Sequence, residues 1–223
     1  MRAKSGLAID DVLRECRALY TPPKTFLAFR TPLDLLVATM LSAQCTDDRV
    51  NLVTRTILYP KYRTARDYAQ ATQAQLERDV QSCGFYRAKA KNIRSMARLL
   101  LERHGGDVPQ SMEELTALPG VGRKTAAIIL NAAFGKAEGI AVDTHVLRLS
   151  QRLGLSTHAD PKRVELDLMR QVPREEWGDF TTLIISHARA VCTARKRACD
   201  RCVFAQRCPS SLMLGRADRA KRA

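Results

Sequence analysis

Apolar positions recur every three to four residues along nearly the whole chain, and no stretch sustains a period of two with β-branched residues, so the pattern predicts helices and no sheet. TPLDLLVATMLSAQ opens with Thr31 as a cap and Pro32 at the first helical position, where its missing N–H costs nothing. TQAQLERDVQSCG starts at Thr72 with Gln75 as capping-box partner and reaches Gly84 as a left-handed terminator, and SMEELTAL repeats the start signal with Ser111 and Glu114. Further helices are expected at DDRVNLVTRTILY, RAKAKNIRSMARLLLERHGG, GRKTAAIILNAAFG, DTHVLRLSQRLG, KRVELDLMRQV and REEWGDFTTLIISHARAVC. AAIILNAAF is apolar nearly all round, which predicts burial on every side and the central place in the core. After Cys192 the periodicity fades into a basic, cysteine-rich segment, and from about residue 214 LGRADRAKRA has the composition of a solvated tail. The predicted class is all-α, built of short helices and short turns.

Composition adds a partner to this picture. The 223 residues are 45% hydrophobic, enough to bury a core as one large or two modest domains. Lys plus Arg number 37 against 23 Asp plus Glu, a net charge of +14. Such a balance favours a polyanion, nucleic acid first, because neutralising phosphates releases their counterions. No run of about 18 apolar residues is present, so no spanning helix and no membrane partner are expected. The start, MRAKSGLAIDD, lacks the apolar centre of a secretory signal, which points to the cytoplasm. Seven cysteines, an odd number, fit a reducing compartment and a metal or thiol role better than a disulfide framework. No large apolar stripe calls for a second copy, so a monomer is expected.

Four of those cysteines, Cys192, Cys199, Cys202 and Cys208, are spaced C-x6-C-x2-C-x5-C. Soft thiolates at this density suit an iron-sulfur cluster or zinc. Structural zinc usually takes two separated C-x2-C knuckles, whereas here one knuckle has an outlying cysteine on each side, which argues for a [4Fe-4S] cluster with zinc next. Cys16, Cys45 and Cys83 are scattered and read as small buried hydrophobes. Within the first intercysteine loop Arg195, Lys196 and Arg197 form a charge run, either a solvated face or a rigid basic loop suited to DNA phosphates.

LPGVGRKTA leaves three uses open: a plain helix turn, a phosphate cradle or the mount of a reactive lysine. Pro119 stops one helix, Gly120 and Gly122 bracket Val121 in the turn, and the next helix starts with its amides facing outward. The spacing is not that of an NTPase loop, and no strand precedes it. Lys124 sits in the first turn, where the helix dipole and Arg123 both disfavour its charged form, as an amine nucleophile requires. Asp143 opens the helix DTHVLRLSQRLG, where it serves as N-cap, as an anion stabilising a cationic sugar-like transition state, or as both. His145 beside it reads as a structural hydrogen-bonding residue.

LSAQCTDDRVN, GFYRAKAKNI, HGGDVP, LPGVGRKTA, VDTHV and the four-cysteine pattern, in this order over nearly the whole chain, resemble endonuclease III, the helix-hairpin-helix DNA glycosylases that carry an iron-sulfur cluster. The resemblance implies a six-helix barrel with the hairpin over 25–136. The first helix (1–24) would join 137–223 in a cluster-bearing helical domain, with the active site in the cleft between the two. It implies a bifunctional glycosylase and AP lyase of base excision repair, acting on oxidised pyrimidines in damaged double-stranded DNA. Lys124 would attack the sugar carbon, Asp143 would assist, and the lysine Schiff base would undergo β-elimination. Gly120, Val121 and Gly122 would bind phosphate, with a monovalent cation on carbonyls near Thr116, Leu118 and Val121. Gln44 matches the glutamine that fills the gap left by an extruded base. Phe85 stands where the family commonly has leucine, so the wedge would be aromatic, and Cys45 stands where the family often has alanine. The implied setting is bacterial and nucleoid-associated. A mismatch-specific adenine glycosylase fits less well, since such enzymes lack the hairpin lysine. From other classes, a zinc-bearing DNA-binding module and an electron carrier leave the hairpin lysine or the charge without a purpose.

Overall fold

The structure, a computed structural model, describes residues 7–21, 23 and 25–214; the expected tail lies almost wholly outside them. As the pattern predicts, the described residues are helical and form no strand, with one isolated bridge between Cys192 and Arg197. The chain divides into two compact units, one made of residues up to Lys24 and from Gly139 onward, the other of Thr25–Glu138.

Helix α1 (Ile9–Leu19) belongs to the first unit and buries Val12, Leu13 and Cys16. The second unit follows with α2 (Pro32–Leu41) and α3 (Asp47–Val53), which runs through a π-helical stretch at Thr54–Leu58 into the short α4 (Tyr59–Lys61). DDRVNLVTRTILY is therefore not one uniform α-helix. Then come α5 (Ala65–Gln70), α6 (Gln73–Val80), a 3-10 turn at Gln81–Cys83, α7 (Tyr86–His104), α8 (Met112–Thr116) and α9 (Arg123–Phe134). Their starts follow local chemistry. Thr31 accepts from the Asp34 amide with Pro32 behind it, and Thr72 and Gln75 form a reciprocal capping box. Thr64 and Asp67 form a second such box on α5, a helix the hydrophobic pattern alone does not announce. At α8 the box is partial: Ser111 accepts from the Glu114 amide, but the Glu114 carboxylate takes the Ser111 hydroxyl.

Two expectations are corrected here. The central helix of this unit is α2, in which every residue from Leu33 to Met40 is buried and Leu41 is fully so, whereas α9 leaves Ile128, Asn131 and Ala133 partly exposed. The run LDLLVATML holds an aspartate, yet α2 is buried along its length. Asp34 is 2% exposed because its carboxylate caps the turn, accepting from the Arg30 amide and guanidinium. Gly84 does not end α6 in a left-handed cap. It follows the 3-10 turn with φ +69° but an extended ψ of 156°, and Phe85 takes the left-handed conformation.

The first unit resumes with α10 (Thr144–Leu153), α11 (Pro161–Gln171) and α12 (Trp177–Ala190), which packs along α10 and α1. Arg17 of α1 pairs with Glu176 and Asp179 at the head of α12. The cysteine segment closes over this core by sinking Phe204, fully buried, edge-on against His187 at 5.1 Å between ring centres.

Candidate functional site

The hairpin between α8 and α9 bares backbone at the head of a helix. Gly120 turns with φ +77°, and a Cβ there would come within 2.9 Å of the Asn92 side chain on α7. Gly122 is the N-cap of α9 and, being glycine, supplies no capping side chain, so nothing in the cap covers the first-turn amides. The first turn carries no acidic residue, and Arg123 and Lys124 are exposed in it. Val121 has a different part from its neighbours. Its side chain is 6% exposed in the core and its N–H donates to the Leu118 carbonyl at 3.1 Å, so it builds the turn rather than an outward phosphate surface.

In the same unit, Gln44 and Phe85 are the two non-glycine residues with positive φ among those described, at 52° and 45°. Each left-handed non-glycine residue costs of order 1–3 kcal/mol and persists only where its surroundings hold it. Both side chains face out, Phe85 at 67% exposure, an unusual place for a phenyl ring. Between them lies a hollow of about 220 Å³ lined by Met40, Gln44, Phe85, Lys89, Asn92 and Gly120 among others. Lys89 and Asn92 are residues that sequence reasoning passed over. Lys89 is 6% exposed and its Nζ donates to the carbonyls of Leu41 and Cys83 at 2.8 Å and Ala43 at 2.7 Å. Burial pulls its pKa down, while the Cys45 and Cys83 thiols push it back up. Cys83 is buried as expected, but Cys45 is only partly so.

In the other unit Asp143 is the N-cap of α10. Its Oδ1 accepts from the His145 and Val146 amides, both at 2.8 Å, and Oδ2 has no donor among the described residues. One oxygen anchors the helix and the other is not engaged by it. Further along α10, Arg148 donates to the Cys192 carbonyl at 3.3 Å and to His145 Nδ1 at 3.2 Å, while Arg152 reaches the Thr193 carbonyl at 2.9 Å and the Cys192 sulfur at 3.2 Å. The arginine spacing on the polar face of DTHVLRLSQRLG was the available signal for this grip.

Cys192, Cys199, Cys202 and Cys208 line one small hollow together with Leu149, Leu153 and His187. Burial pushes the Cys202 and Cys208 thiols above their usual range. His187, whose pKa burial drops to about 4, bridges Tyr20 at 3.0 Å and the Cys202 sulfur at 3.4 Å. No three His, Cys, Asp or Glu among the described residues converge closely enough to hold a single metal ion. In the first intercysteine loop Arg195 and Lys196 are exposed, but Arg197 turns inward, donating to the Ser210 carbonyl at 3.0 Å beside the cysteines. The expected row of three outward charges is thus a pair, because the tight Thr193 to Lys196 turn rotates the third into the loop.

Residues 37–174 match the model of the HhH-GPD superfamily base excision DNA repair protein. Endonuclease III of Synechocystis is 49% identical over 201 residues, 90% of this chain and 91% of that protein. A non-covalent endonuclease III–DNA complex superposes with a TM-score of 0.88 at 41% identity, covering 93% of this chain and 97% of that one. A trapped endonuclease III–DNA covalent intermediate with an estranged adenine superposes at 0.86, again 41% identical, over 91% and 94%. No helix among the described residues is long and apolar enough to cross a membrane.

Proposed function

Because the chain belongs to the HhH-GPD superfamily of base excision DNA repair proteins, and within it to the endonuclease III family, we propose that it is a bifunctional DNA glycosylase and AP lyase. Its substrates are oxidised pyrimidines, such as thymine glycol, in duplex DNA, and it works where the chromosome lies. The observation that carries this reading is an exposed lysine at the head of α9, directly after a glycine turn whose cap leaves the helix amides uncovered.

The hairpin amides and Arg123 would hold a backbone phosphate, since a helix head offers both N–H donors and positive potential. The uncharged Lys124 amine attacks C1′ of the damaged nucleotide, the C1′–N bond breaks, and the base departs with the bonding electrons and takes up a proton. Asp143, held by Oδ1 and open at Oδ2, stabilises the positive charge that develops on the sugar and accepts the proton from the attacking amine. The ring opens to an imine between Lys124 and C1′, loss of a C2′ proton expels the 3′ phosphate, and water releases the lysine. Gln44 and Phe85 fill the place vacated in the duplex, an exchange that offsets an unstacking cost of about a few kcal/mol.

The four cysteines fit a [4Fe-4S] cluster. They line one shared hollow, and their C-x6-C-x2-C-x5-C spacing lacks the two separated C-x2-C knuckles that structural zinc usually takes. When bound, the cluster would cross-link the loop from Cys192 to Cys208. Arg152 would donate to the Cys192 sulfur and His187 would meet that of Cys202. Arg195 and Lys196 on that loop would meet DNA phosphates.

The test is borohydride trapping on duplex DNA with an abasic site. The intact chain should form a covalent adduct and Lys124→Ala should form none, with base release from thymine glycol duplexes lost alongside. Equal trapping by Lys124→Ala refutes the lysine mechanism, and release of thymine glycol no faster than undamaged thymine refutes the substrate class.

A further inference from the structure

Lys89 has no part in the chemistry above, yet it is among the most constrained charges in the molecule. The three protons of an ammonium match its three carbonyl partners, so its hydrogen-bonding capacity is filled by main chain. The carbonyls belong to two segments distant in sequence: Leu41 and Ala43 lead into Gln44, and Cys83 leads through Gly84 into Phe85. A buried cation without a carboxylate is an unfavourable way to gain stability alone, since an apolar side chain of similar length fills the same space without desolvating a charge. What an apolar side chain cannot do is bind two turns to one point. Both turns then carry their outward residue in the left-handed conformation, which needs a rigid frame. Asn92, one turn further along α7, stands against Gly120, so the same face of one helix also sets the position of the hairpin.

We propose that Lys89 is a positioning residue for base extrusion: its ammonium fastens the Gln44 turn to the Phe85 turn, so that the two side chains enter the duplex as one rigid two-pronged wedge. This rests on the reading of Gln44 and Phe85 as the inserting residues. The wedge is needed only where a base must leave a stack, and not where an abasic site is already present in single-stranded DNA.

The experiment compares two substrates, a duplex with thymine glycol opposite adenine and a single-stranded oligonucleotide carrying a preformed abasic site. Lys89→Met should slow base release from the duplex at least about tenfold, as small misplacements of positioned groups do, and leave cleavage of the single strand within about twofold of wild type. Added to a Gln44→Ala/Phe85→Ala background, it should slow the duplex reaction little further, because the prongs it positions are gone. Equal losses on both substrates, or a full additional loss in that background, overturn the proposal. If the Gln44→Ala/Phe85→Ala protein releases thymine glycol like wild type, the insertion reading itself falls; if it is impaired while Lys89→Met is not, the role of Lys89 alone falls. Should Lys89→Met not accumulate, Lys89→Arg is judged by the same outcomes, since a planar fork cannot converge three bonds as an ammonium does.

Discussion

Gly120 and Gly122 flank one valine, but the backbone needs them for different reasons. At Gly120 φ is +77° and an added Cβ would meet Asn92 at 2.9 Å, whereas at Gly122 the conformation is extended and nothing lies within 4 Å. Gly120→Ala should therefore lose about 1–3 kcal/mol, and Gly122→Ala only the smaller N-cap preference, under about 1 kcal/mol. Urea unfolding midpoints at unchanged slope would measure both, and equal losses would contradict the close packing of the turn on Asn92. The glycine pair and Lys124 were legible in the sequence because glycine punctuation and a charge at a helix start are local signals. Lys89 and Arg197 were not. A lysine or arginine letter carries no sign of whether its cation is solvated or turned onto buried carbonyls, since that depends on chain segments that only folding brings together.

Among the elements, α10 joins the two proposed sites of its unit. Asp143 caps its start, and Arg148 and Arg152 grip the cysteine loop further along. Because Asn caps as well as Asp, Asp143→Asn should unfold within about 0.5 kcal/mol of wild type while losing about a hundredfold or more in base release, as removal of a general base does. Asp143→Ala should lose a further 1 kcal/mol or so of stability with the cap. Full activity in a stably folded Asp143→Asn protein would reduce Asp143 to a cap. Most helices were readable from capping residues and periodicity, including α2, α6 and α10. The depth of each was not. A run apolar on all sides pointed to α9, but burial depends on neighbours, and α2 is enclosed because α9 and α7 both pack on it and Asp34 is neutralised by Arg30.

Over the whole molecule, the charge of +14 indicates a polyanionic partner but overstates what can face it. Arg17 and Arg207 are held by carboxylates, Lys89 and Arg152 by carbonyls, and Arg197 by the Ser210 carbonyl. Binding should still weaken linearly in log affinity against log salt, with a slope of about −0.9 for each phosphate neutralised. The cysteine loop allows this to be apportioned. If its two exposed side chains each meet a phosphate, the Arg195→Ala/Lys196→Ala protein should bind abasic duplex more weakly and show a slope shallower by about 2. Arg197→Ala should leave the slope where it was, since that guanidinium is spent inside the loop, and should instead loosen the cysteine segment and weaken retention of the proposed cluster, read as visible absorbance per protein. Fluorescence anisotropy titrations between low and moderate salt separate the two. A slope lowered equally by Arg197→Ala would mean that the loop opens to present all three charges when DNA arrives.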